Sequence, residues 1–118
     1  MEGRFRERMF NTPQFQALRR EYVENTLARC LHLEQEAASL RSGGQADLQA
    51  IRLEIHKFRG SGGFYGFKEI SVASAIAEDQ LILVLEGTIE RNDALLADQV
   101  DLVVASVRAA AAEIGLEA

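Results

Sequence analysis

The stretch DLQAIRLEIHKFRGSGGFYGF, residues 47–67, holds one of the chain's two histidines beside a cluster of four glycines. Two readings compete for it. Gly60, Gly62 and Gly66 form a G-x-G-x-x-x-G pattern, which as a dinucleotide loop requires a strand immediately before it to present a helix N-terminus to a pyrophosphate. The residues before the glycines do not alternate. Leu48, Ile51, Ile55 and Phe58 recur at helical spacing, so the segment predicts an amphipathic helix that starts near Gln45 and continues into the glycines around Gly63. The P-loop pattern G-x-x-x-x-G-K-[ST] is also missing. A helix followed by glycines, rather than a phosphate-binding loop, is the reading that organises the rest of the chain.

Working outward, three more helical patterns appear. Upstream, Thr12 is an N-cap with Pro13 at the first helical position, where its missing N–H costs nothing. Phe15, Leu18, Tyr22, Thr26, Leu33, Ala37 and Leu40 then fall on one face, and RSGG at 41–44 ends the run. Downstream of Gly66, a third stripe comprises Ile70, Ala73, Ala77, Leu81 and Val84 before Gly87. A fourth, capped by Asn92 or one of its neighbours, comprises Leu96, Val100, Val103, Val107, Ala111 and Ile114, with Gly115 at the C-terminal cap. None of these helices can bury its stripe alone. The predicted fold is all-α, an antiparallel four-helix bundle over residues 12–115 within a single domain of residues 1–118. Residues 1–11 form an N-terminal extension, with a short extra helix over the first ten as an added expectation.

Composition agrees and excludes several function classes. A chain of 118 residues and 13.0 kDa is one domain, and a single proline suits long uninterrupted helices. One cysteine, Cys30, rules out an internal disulfide framework and reads as a small helix residue. A formal net charge of -5 argues against nucleic-acid binding, because phosphate would be repelled. The start, MEGRFRERMF, has no apolar run of signal-peptide length, and no stretch is long and apolar enough to span a bilayer. The expectation is a cytoplasmic protein that engages neither membrane nor nucleic acid. One bundle of this length can close its own core, so a monomer is expected.

The position of His56 on its helix narrows the chemistry. With its direction as 0°, Ile55, Ile51 and Phe58 lie at about -100°, -140° and -160°, so the imidazole points away from the core. Gln49, Arg52, Arg59, Gly60 and Gly63 share its side within about 60°, and Leu53, at about +60°, reads equally as an apolar contact for a partner or as a residue packed against a neighbouring helix. Glycine inside a helix costs about 1 kcal/mol relative to alanine. Placing Gly60 one turn after His56 implies that something must come close to the ring, whereas Gly62 and Gly63 read as a helix-ending turn. Neutral imidazole is a nucleophile near pH 7 and can take a phosphoryl group, whose charge Arg59, and to a lesser degree Arg52, could offset. His32 lies about 100° from the apolar stripe of the first helix, with Glu36 one turn on, and reads as a solvated histidine. Phe64, Tyr65 and Phe67 are expected to pin the following turn. The acidic residues show no convergent pair that reads as an acid–base dyad, and no metal site is predicted.

His56, Phe58, Arg59, Gly60, Ser61 and Gly66 together resemble the signature of the histidine-containing phosphotransfer (HPt) domain family: histidine, apolar, basic, glycine, small hydroxyl, and a further glycine about ten positions beyond the histidine. Motif-grade likeness is confined to residues 56–66, and the four-helix pattern extends it over nearly the whole chain. Phe58 stands where leucine is commoner, and GSGGF holds more glycine than most members. The resemblance implies a phosphorelay intermediate in which His56 accepts a phosphoryl group at Nε2 from a receiver aspartate or a histidine kinase and passes it to another receiver. It implies that Arg59 accommodates the phosphate, that Gly60 leaves room for the partner, and that Ser61 belongs to the site. The partners implied are response-regulator receiver domains and a histidine or hybrid kinase. The chain needs no cofactor of its own, since the receiver brings the aspartate and the Mg²⁺, and it is a phosphoryl carrier rather than an enzyme. The rival readings are a receiver- or kinase-binding module that transfers nothing and the phosphoacceptor domain of a larger kinase. A histidine-ligated metal or haem bundle is disfavoured because His32 and His56 lie on different helices.

Overall fold

The computed structural model describes Arg8 and residues 11–116, and among them every regular element is a helix. They are α1 (Pro13–Arg41), α2 (Leu48–Phe64), α3 (Lys68–Leu85) and α4 (Asp93–Glu113). The extra helix expected over the first ten residues falls, Arg8 apart, outside the described residues.

Local chemistry sets the boundaries. Thr12 Oγ1 accepts from Phe15 N at 3.1 Å, Asp47 Oδ1 from Ala50 N at 3.1 Å and Asn92 Oδ1 from Leu95 N at 3.1 Å, each satisfying an N–H that the first helical turn leaves without a partner. The Asp47 cap moves the start of α2 to Leu48, three residues beyond the expected Gln45. α3 has no side-chain cap, and the turn before it is made by Gly66 at φ +84°, a conformation that L side chains rarely adopt. Gly87 and Gly115, at φ +75° and +78°, follow the ends of α3 and α4.

Cross-helix contacts give the topology. Arg52 of α2 reaches Glu78 of α3, while farther along α2 the carbonyl of Arg59 accepts from Ser71 near the start of α3 at 2.6 Å. Arg41 at the end of α1 pairs with Asp98 and Asp101 at the start of α4, and Glu34, earlier on α1, pairs with Arg108 near the end of α4. Each pair of helices therefore runs antiparallel. Packing is extensive between α2 and α3, between α1 and α4, and between α3 and α4, but slight between α1 and α2. That sparse contact leaves a groove lined by Leu18, Tyr22, Lys57, Ser61 and Tyr65.

The core is built from Leu33, Leu40, Ile51, Ile55, Ile70, Leu81, Leu96, Val100, Val103 and Val107, all fully buried. Each such side chain contributes about 1.5–3 kcal/mol by leaving water. The stripe of α1 is shifted from the expected one: Val23 and Cys30 are buried with Phe15, Thr26, Leu33, Ala37 and Leu40, whereas Leu18 is exposed and Tyr22 half-buried. Leu18 and Tyr22 instead face the groove, because α2 does not close over that part of α1. On α3, Ser74 and Glu78 are buried with Ile70, Ala77 and Leu81, and Ala73 and Val84 lie at the edge.

The expectation of a helix-ending turn at Gly62 and Gly63 is corrected. α2 runs through both, and Gly62 is buried against α3: a Cβ there would sit 3.0 Å from Cβ and Cγ2 of Ile70 and 3.1 Å from Ser71 N. Gly62 is a close-packing residue. After it, Tyr65 stacks on Tyr22 with ring centroids 4.5 Å apart, and Arg19 donates to the Tyr65 carbonyl at 2.8 Å with its guanidinium 4.4 Å above the Phe67 ring. Phe67 is buried, whereas Phe64 is exposed and meets Tyr65 edge-on.

Candidate functional site

His56 sits in the middle of α2 with 64 % of its side chain exposed, as its helical direction requires. Its ring is nevertheless anchored. Nδ1 lies 2.8 Å from Oε2 and 3.1 Å from Oε1 of Glu78, a residue of α3 whose side chain is only 3 % exposed. The same carboxylate accepts from Nη1 of Arg52 at 3.2 Å and from Nη1 of Arg59 at 3.2 Å. A buried carboxylate thus gathers an imidazole and two guanidinium groups from successive turns of α2.

The charge state of this cluster follows from its partners. Burial opposes ionisation of Glu78, but the hydrogen bonds from His56 and Arg59 and their charges outweigh it and hold the carboxyl below its ordinary value. An ionised carboxylate only accepts hydrogen bonds, so the proton of a neutral His56 ring resides on Nδ1. The lone pair is then on Nε2, which no described residue hydrogen-bonds and which faces the exposed side. Arg59 also donates to Asp79 on the rim of α3 at 2.9 Å, and the carboxylates of Asp79 and Glu78 raise the guanidinium pKa above its ordinary value. Nε of Arg52 donates to Gln49 at 3.1 Å.

The predicted site residues divide into two groups. Arg52, Arg59 and Gln49 lie on the α3 side of His56, tied directly or through Arg52 to Glu78. Leu53 and Gly60, both exposed, flank the ring on the α1 side, and a Cβ at Gly60 would meet nothing within 4 Å. Gly60 is therefore not required by packing within the chain, and Gly63 is likewise exposed, with Ser71 at ordinary contact distance. Ser61 does not join the imidazole: its Oγ donates to the Lys57 carbonyl at 2.7 Å and lies 3.0 Å from the Tyr22 hydroxyl, facing the groove. His32 is exposed on α1, as expected.

Glu78 is the residue that sequence reasoning missed. A signal was present. Position 78 lies eight residues after Ile70 and three before Leu81, within the buried stripe of α3, where a carboxylate demands a cationic or N–H partner. Which partner it finds depends on the packing of α3 against α2.

A family model for the Hpt domain matches residues 17–112. The chain belongs to the Hpt domain family. Among curated proteins and solved structures no match was found. Hpt domains are helical phosphotransfer modules of two-component signalling that interact with receiver domains and kinases, and the four-helix bundle described above is the family's architecture. None of the described helices is long and apolar enough to cross a membrane. In this Hpt chain the matched region contains the whole His56–Glu78 cluster.

Proposed function

We propose that this Hpt protein is a phosphorelay intermediate in which His56 accepts a phosphoryl group at Nε2 from a receiver aspartate or a histidine kinase and passes it to a receiver aspartate. The observation that carries this reading is the Nδ1 contact with Glu78, which leaves an exposed Nε2 with its lone pair outward. When that lone pair attacks the phosphorus of a receiver's aspartyl phosphate, the N–P bond forms as the P–O bond breaks, and the electron pair returns to the aspartate carboxylate. The Nδ1 proton stays in place, so the ring becomes an imidazolium directly against the Glu78 carboxylate. Glu78 thus stabilises the charge that develops, as the orienting carboxylate of a catalytic triad does for its histidine. In the reverse direction the protonated ring is the better leaving group, so the same contact assists donation.

The incoming phosphate meets Arg59 and Arg52. Each uses Nη1 on Glu78, and Nη2 of both and Nε of Arg59 have no partner among the described residues, leaving donors for phosphate oxygens. Arg59 is the more accessible, 40 % exposed against 22 % for Arg52, and takes the larger share. Gly60 gives a receiver access to the ring, and Leu53 with the groove beyond it supplies apolar surface for docking. The receiver provides the aspartate and the Mg²⁺. This chain is the phosphorylated carrier, and rate acceleration resides mostly in the partner.

The test is phosphotransfer from a panel of phosphorylated receiver domains with Mg²⁺ to wild type and His56→Gln, reading acid-labile label on this chain. Label on wild type and none on the variant is expected. A folded wild type that binds a receiver but takes label from no receiver or kinase would overturn the reading in favour of a non-transferring module.

A further inference from the structure

Arg59 is claimed twice on α3. Its Nη1 donates to Glu78 at 3.2 Å and, over the shorter distance of 2.9 Å, to Asp79. The two carboxylates differ in situation. Glu78 is buried and serves the imidazole, whereas the Asp79 side chain is 64 % exposed and has Arg59 as its hydrogen-bond partner. With His56 neutral, the cluster of Glu78, Asp79, Arg52 and Arg59 is balanced, two negative charges against two positive. A phosphoryl group on Nε2 adds about two negative charges to this balanced set. Neither arginine of the cluster is free of a carboxylate: the guanidinium best placed for the phosphate is held at the α3 rim by an acid that neither packs in the core nor touches the ring.

We propose that Asp79 is a positioning residue that competes with the phosphoryl group for Arg59, limiting the stability of the phosphohistidine so that it remains a ready donor. The inference rests on the reading of His56 as the phosphoacceptor. A carrier that clamped its phosphate with two free arginines would fill readily and empty slowly. Asp79 lowers that trap by keeping one arginine partly engaged elsewhere. Because Asp79 is exposed, its removal leaves the core and the Glu78–His56 contact in place, and its effect on the phosphohistidine runs through Arg59.

The experiment uses the full chain carrying His32→Gln, so that one histidine is labelled, and phosphoramidate as a small-molecule phosphoryl donor that needs no protein partner. The hydrolysis half-life of phospho-His56 is measured for this parent, for Asp79→Asn, for Arg59→Gln and for the double variant. Asp79→Asn is expected to lengthen the half-life about threefold, the scale of a partly exposed charge pair, and the gain should shrink at about 1 M salt. In the Arg59→Gln background the same substitution should leave the half-life unchanged. With any receiver that labels the parent, Asp79→Asn should shift the transfer equilibrium toward phospho-His56 by a similar factor. An unchanged half-life in Asp79→Asn overturns the proposal, and so does an equal gain with and without Arg59, which would make Asp79 a plain repulsive charge. A parent that takes phosphate from phosphoramidate but from no receiver or kinase would overturn the relay reading, while the half-lives still decide the role of Asp79.

Discussion

Replacing Glu78 by glutamine keeps the shape of the cluster and removes the charge on which it is centred. The introduced amide can still accept a hydrogen bond from Nδ1, but it no longer compels that tautomer, and it offers no charge to the imidazolium that forms as Nε2 is phosphorylated. Glu78 lies 2.8 Å from Nδ1 and is almost completely buried, so water cannot substitute for it. A hydrogen bond to a charged group contributes about 1.5–3 kcal/mol, and if that is realised mainly as the ring becomes cationic, transfer slows by about tenfold to a hundredfold. Arg52 and Arg59 lose a charged partner in the same variant, but both reach solvent, so the stability cost should be about 1–3 kcal/mol, below that of a fully buried pair. The assay is rapid-quench transfer from a phosphorylated receiver to wild type and Glu78→Gln, with thermal melts run alongside to show both are folded. Wild-type rates in a folded Glu78→Gln protein would refute the argument that the carboxylate supports the nucleophile. The same residue makes a pH prediction. Its folded-state pKa is depressed, so its contribution to stability is complete above the unfolded value near 4.5 and is lost as pH falls below that toward the folded value. Between neutral pH and about pH 3 the melting temperature of wild type should therefore fall more steeply than that of Glu78→Gln.

The two inner glycines should respond oppositely to alanine. Gly62→Ala drives a methyl group to 3.0 Å from Ile70 and should lower stability by about 1–3 kcal/mol in urea melts. Gly60→Ala meets nothing within the chain and should raise stability by about 0.5–1 kcal/mol while weakening receiver binding and transfer, measured on the same preparation. Leu53→Glu, on the exposed apolar flank of His56, should weaken receiver binding at least severalfold in a titration, with an unchanged melt, as expected for a charge placed in a docking interface. Cys30 is buried and its thiol is pushed up to about 11 by that burial, so alkylation by iodoacetamide at about pH 8 should be slow in the folded protein and rapid in denaturant.

Much of this architecture is legible in one sequence because helices are local objects. The caps at Thr12 and Asn92, the stops near Gly43, Gly87 and Gly115, and the apolar spacing of each segment depend on neighbours within a turn or two. The outward direction of His56, and the cations that share its side, follow from the same geometry on a single helix. The errors fall where a second helix enters. Leu18 carries the spacing of a core residue, yet it is exposed because α2 diverges from α1. Gly62 reads as a turn residue, but α3 crosses so closely that an added Cβ would lie 3.0 Å from Ile70. Ser61 is next to Gly60 in sequence and faces another helix in space.

The sequence by itself determined that this chain makes four amphipathic helices and that one of them displays a histidine, two arginines and a bare glycine on a common side. Those are consequences of periodicity and of backbone conformations that each residue either allows or forbids. Only the tertiary structure decided that Glu78, 22 residues away from His56, stands beneath the ring and turns a solvated histidine into one with a defined tautomer. A carboxylate in an apolar stripe announces that it needs a partner, but the partner is chosen by how two helices pack, and packing is a property of all their side chains together.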